Sequence, residues 1–156
     1  MEISKRSRNK VGRRASQFFA ITAALTVLYV LAHVFELAGL IMGEANAETL
    51  LSRLPAVFYI YALVCLCLIF RRLSKKSEFD VTMGRLLTKF GISVSIGGML
   101  TVIGNPIVHR MVFKEGPFLD FDRSAMLLIV AGFIFTMLGN LLKDYGDIKR
   151  ELGEFL

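Results

Sequence analysis

FGISVSIGGMLTVIGNPIV, residues 90–108, holds no charged side chain and carries small residues at helical spacing on two faces. A hydrocarbon core about 30 Å thick is crossed by roughly 20 residues of helix, so this stretch reads as a membrane span. Gly91, Ser95 and Gly98 share one face and Gly97, Thr101 and Gly104 the other. Lipid offers no hydrophobic drive between helices, so close approach through small residues is how such bundles cohere. Helix three is therefore expected to be packed from both sides, with Gly132 and Gly139 of the last span as a matching surface. Asn105-Pro106 is expected to end or bend the helix, because proline removes a donor and disfavours helix at the residue before it.

Outward from this stretch lie three more apolar runs, residues 18–42, 54–70 and 125–142. Backbone groups in lipid must be satisfied within each segment, which leaves helices as the simple reading. The chain is 54% hydrophobic and 21% charged, values seldom reached by a soluble domain of 156 residues. The expected fold class is all-α: a polytopic membrane protein, residues 1–156 forming one four-transmembrane-helix bundle with cytoplasmic amphipathic extensions. Pro55, at the start of the shortest span, falls in the first helical turn, where its missing donor does no harm.

Charge sets the orientation. Of 19 Lys and Arg residues, 15 precede the first span, lie between the second and third, or follow the fourth; Arg53, Arg110, Lys114 and Arg123 occupy the other two loops. The positive-inside rule then puts both termini in the cytoplasm. This distribution accounts for the net charge of +6 without a nucleic-acid partner, and anionic lipid suits the basic amino end. A basic region, an apolar region and Ala45-Asn46-Ala47 also follow the order of a secretory signal cleaved after Ala47. Against cleavage stand the 25-residue length of the apolar run and its His33 and Glu36.

His33 and Glu36 are three residues apart and so share a face of helix one. Ionisable groups in a membrane are costly and face a bundle interior or a water-filled cavity, which makes this pair the leading site candidate, with Asn105 as its polar neighbour. Two roles are open: a structural tie from helix one to Asn105 or Thr101, or a proton or cation pathway. Haem between His33 and His109 is a third possibility, but the two imidazoles differ in expected depth by roughly 13 Å at 1.5 Å per residue. Cys65 and Cys67, two apart on one helix, suit packing better than a disulfide or a zinc site. No phosphate loop, nucleophile elbow or His-Glu-x-x-His motif occurs, so no enzyme, metal or cofactor is expected.

The loop after span two is more distinctive. Asp80 reads as a helix N-cap, and Met83, Leu86, Leu87 and Phe90 then repeat at helical spacing as an amphipathic entry to helix three, suited to lipid or partner contact. Beyond span four, the tail 143–156 continues the pattern: Leu141, Tyr145, Ile148, Leu152 and Phe155 follow a 4-3-4-3 spacing. Gly146 and Gly153 weaken that helix, so it is expected to lie on the membrane, the loop helix or a partner.

Glu78-Phe79-Asp80 followed by Arg85-Leu86-Leu87 and Phe90-Gly91, with a last apolar helix flowing into a charged amphipathic tail, resembles domain-of-unknown-function family 2975 over about the last 80 residues. The resemblance implies a small four-span protein of the bacterial inner membrane, often encoded beside a helix-turn-helix regulator. It further implies an accessory or regulatory role, with a cytosolic helix-turn-helix protein or the bilayer as partner. The rival expectation is a small transporter or proton channel built on His33 and Glu36, assembled as a homo-oligomer because four short helices enclose little space.

Overall fold

A computed structural model describes residues 2–41, 53–76, 81–114 and 122–154. They form α1 (Glu2–Ile41), α2 (Leu54–Lys76), α3 (Val81–Met99), a π-helical turn (Leu100–Gly104), α4 (Asn105–Phe113) and α5 (Arg123–Glu154), with no strand among the described residues. Four helices are long and apolar enough to cross a membrane: Gly12–Glu36, Leu54–Lys75, Val81–Met111 and Arg123–Ile148. The protein is thus an all-helical four-helix bundle of multi-pass membrane type.

Each helix outruns its apolar run, because hydropathy marks where lipid can be tolerated and hydrogen bonding marks where the helix ends. α1 continues back through the basic amino end to Glu2, and α2 continues past Phe70 through Arg71 and Arg72 to Lys76. Long Lys and Arg side chains are good helix formers and keep their charge in the headgroup layer. At the other end of α2, Pro55 lies in the first turn, beside the bond from Ala56 N–H to the Arg53 carbonyl (3.0 Å). α5 starts from Asp122, whose Oδ1 accepts the Ser124 N–H at 2.9 Å, an N-terminal cap.

Asn105-Pro106 does not end the third span. The chain passes through the π turn, in which the Asn105 N–H reaches the Leu100 carbonyl, and resumes as α4. Pro106 then sits in the first turn of a new α segment, where its absent N–H is no loss. The end comes at Lys114, whose left-handed φ of 58° closes α4 with an N–H to the Arg110 carbonyl (2.9 Å).

Among the described residues the extensive interfaces are α1 on α2, α2 on α3 and α3 on α5, so neighbours in the chain are neighbours in space. α1 runs antiparallel to α2: Phe18 stacks on Phe70 with ring centroids 5.6 Å apart, and Thr26 Oγ1 lies 3.5 Å from Cys67 Sγ. Cys65 is buried. α3 is the inner helix. One face meets α2, where a Cβ on Gly97 would come within 2.7 Å of the Tyr59 ring. The other meets α5 along a seam of small residues: Gly84 lies against Gly139, Gly91 against Gly132 and Thr136, and Gly98 against Ala125 and Ile129. Ser95 Oγ donates across it to the Ile129 carbonyl at 3.3 Å, and Phe90 meets Phe135 edge-on at 5.1 Å. Gly104 is different, since its nearest neighbour is Leu100 of its own turn.

Five threonine hydroxyls in the spans are satisfied locally. The hydroxyls of Thr26, Thr88, Thr101 and Thr136 each donate to the carbonyl four residues earlier, at 2.7–3.0 Å. Thr22, which is buried, does the same to Phe18. This is how hydroxyls are carried into lipid without orphaned donors.

Candidate functional site

His33 and Glu36 open onto a cavity of about 540 Å³ at the end of the bundle where α1 finishes and α2 begins. α1 contributes Tyr29, Ala32, His33 and Glu36, one helical face at successive turns. Arg53, Pro55, Ala56 and Tyr59 come from the start of α2, while Thr101 and Asn105 come from the π turn and the first residue of α4. The Glu36 carboxylate is ion-paired with the Arg53 guanidinium, both side chains being 40% exposed.

The His33 ring packs on Tyr29 with centroids 4.4 Å apart, and its Nδ1 lies 3.0 Å from the Tyr29 carbonyl oxygen. A carbonyl can only accept, so that contact places a proton on Nδ1 and leaves Nε2 as the ring nitrogen not engaged by it. Thr101 spends its proton on the Gly97 carbonyl and keeps acceptor capacity. The cavity therefore presents one cation, one anion, an imidazole, two phenols and an amide between apolar walls.

Asn105, His33 and Glu36 are thus brought together, whereas His109 lies farther along α4 and is not part of the wall. Among the described residues no group of three or more His, Cys, Asp or Glu is arranged to hold a metal ion. Arg53, Tyr29 and Tyr59 are polar members of the site that escaped the sequence reading. Arg53 is 17 residues from Glu36 in the chain and read only as a charge between two spans. Tyr29 had a signal that could have found it, since Tyr29, His33 and Glu36 follow the 4-3 spacing of a single face. No family model, curated protein or solved structure matches this chain.

The amphipathic segments divide. Met83 is 2% exposed, so it is core and not a lipid or partner contact as expected. The reason is that α3 is covered on two sides, by α2 and by α5, and an apolar position that would meet lipid on a singly packed helix meets protein here. Leu86 and Leu87 are half-buried. On α5, Tyr145 and Ile148 are exposed, at 64% and 56%. Gly146 between them explains itself: a Cβ there would lie 2.5 Å from Val81 Cγ2, so the glycine lets the start of α3 close on the extension. Leu152 lies within α5, though its side chain is not among those described; Asp80, Phe155 and the Ala45–Ala47 triplet fall outside the described residues.

Proposed function

We propose that this is a non-enzymatic accessory or regulatory protein of the bacterial inner membrane, with both termini cytoplasmic, which acts through the α5 extension on a cytosolic partner. The observation that supports the reading is the length and surface of α5. Its 32 residues rise about 48 Å, well beyond a hydrocarbon core of about 30 Å. Past the apolar run 125–142 it carries Tyr145 and Ile148 exposed, beside Lys143, Asp144 and Asp147. Gly146 seats the opposite side on Val81, so the exposed pair is offered in a fixed orientation. An apolar anchor ringed by charge is the composition of a protein contact.

The resemblance to domain-of-unknown-function family 2975 supplies the kind of partner, a helix-turn-helix regulator encoded nearby. The cation asymmetry supplies the side of the membrane. The test is crosslinking and pull-down from native membranes with the full-length protein and with a Tyr145→Asp, Ile148→Asp variant. Both positions are exposed, so folding should survive. The reading expects a cytosolic protein captured by the wild type and lost from the variant. Equal capture by both, with transcription unaltered in the variant strain, would refute it.

A further inference from the structure

The cavity between α1, α2 and the π turn is a second and independent place to look for function. Its volume, about 540 Å³, lies in the range of small-molecule sites, roughly 300–1,000 Å³. A π turn stands in its wall at Leu100–Gly104, contributing Thr101. Single π turns inside α-helices occur frequently at functional sites, because the extra residue displaces the carbonyls and side chains around it.

The charges narrow the ligand. Glu36 and Arg53 cancel, so a ligand of net charge bound beside the pair would leave one charge without a partner. A ligand that carries both signs can lie head-to-tail along the pair and leave nothing unpaired. Each end then finds suitable chemistry. The Arg53 guanidinium matches two oxygens of a phosphate at once. An ammonium finds the Glu36 carboxylate, with the side chains of His33, Tyr29 and Tyr59 in the same wall. Depth agrees with the chemistry: Glu36 is five residues from the end of α1 and Arg53 directly precedes α2, which is the level of the headgroups.

We propose that this cavity binds an ammonium–phosphate zwitterion of the phosphoethanolamine type, as carried by an ethanolamine phospholipid headgroup or by its free glycerol ester. Glu36 and Arg53 read the two charges, and the two tyrosines and His33 hold the ammonium end.

The full-length protein in detergent micelles is titrated with a dioleoyl ethanolamine phospholipid and with the anionic dioleoyl glycerol phospholipid, with bound lipid counted by native mass spectrometry. Wild type should hold the ethanolamine lipid about tenfold tighter, the scale of one well-made charged contact. Glu36→Gln should abolish that preference, because the phosphate read by Arg53 is common to both lipids and the ammonium read by Glu36 is not. A Glu36→Arg, Arg53→Glu double variant keeps opposite charges facing one another and so preserves the fold. Because the acyl chains fix which end of the headgroup leads, the swapped pair should also lose the preference while its unfolding midpoint stays near that of wild type. Equal retention of the two lipids by wild type, or an unchanged preference in the folded swap variant, overturns the proposal. Soluble glycerophosphoethanolamine assigns the source: displacement of bound lipid at millimolar concentration supports a free zwitterion as ligand, and no displacement supports the lipid.

Discussion

Gly91→Ala adds one methyl group to the most crowded part of the α3–α5 seam. That methyl would lie 2.5 Å from the Gly132 carbonyl oxygen and from both the backbone nitrogen and Oγ1 of Thr136. Ordinary contact begins near 3.4 Å, so the helices must part by about 1 Å, and the obstacles are backbone atoms that no rotamer change removes. Overpacking of this kind costs about 1–3 kcal/mol. Parting the seam also stretches the Ser95 to Ile129 carbonyl bond, already 3.3 Å long; interhelical bonds of this sort contribute about 0.6 kcal/mol on average in membranes. Against this stands the gain in helix propensity from Gly to Ala, about 1 kcal/mol. The net expectation is a loss of about 1–2 kcal/mol, a factor of roughly 5–30 in the folded population. Reversible unfolding by dodecyl sulfate in bicelles measures it. Gly39→Ala is the control, since among the described residues nothing lies within 4 Å of a Cβ there and only the propensity gain should register. If both variants unfold at the same sulfate fraction, the seam does not hold the helices together and the reasoning fails.

Met83→Ala should destabilise by about 2–5 kcal/mol in the same assay, as for other large buried side chains, whereas Tyr145→Ala and Ile148→Ala on the exposed extension should each stay within about 0.5 kcal/mol. A Thr26→Cys variant should form a disulfide with Cys67 on mild oxidation, because the two side chains already lie 3.5 Å apart; a free-thiol count of three on the oxidised, folded variant would contradict the antiparallel pairing of α1 and α2. Proteoliposomes of wild type and of Glu36→Gln should show the same proton leak, since the carboxylate is engaged by Arg53; a flux present in the first and missing in the second would favour transport over an accessory role. Reporter fusions at the two ends should both light up in the cytoplasm, and opposite results would displace the topology that the cation distribution implies.

The spans were legible because residues 18–42, 54–70, 90–108 and 125–142 are apolar for reasons of solvent alone. So was the face of helix three that carries Gly91, Ser95 and Gly98; of the other face, Gly97, Thr101 and Gly104, Gly97 meets Tyr59 while Gly104 meets only Leu100 of its own turn. Legibility stopped where a position's meaning depends on a neighbour that is distant in the chain. Met83 belongs to an amphipathic pattern that says which side is apolar and nothing about whether lipid or protein covers it. Arg53 is the partner of Glu36 only because the fold brings the start of α2 beside the end of α1. Asn105-Pro106 marks an interruption at this place, but Leu100–Gly104 itself reads like any other helical run, and its extra residue is visible only in the bond from Asn105 to Leu100.

The seam between α3 and α5 repeats: Gly84, Gly91 and Gly98 on one side, Ala125, Gly132, Gly139 and Gly146 on the other, always seven residues apart. A zipper with evenly spaced teeth can be done up one notch out of step, and here a slip of two helical turns, about 10.5 Å, would again set small residue against small residue. What forbids the misfit is therefore uneven and bulky: Phe90 against Phe135, and the Thr88 hydroxyl 3.3 Å from Asn140 Oδ1. The glycines decide how near the two rods come, and these odd pairs decide which notch they stop at.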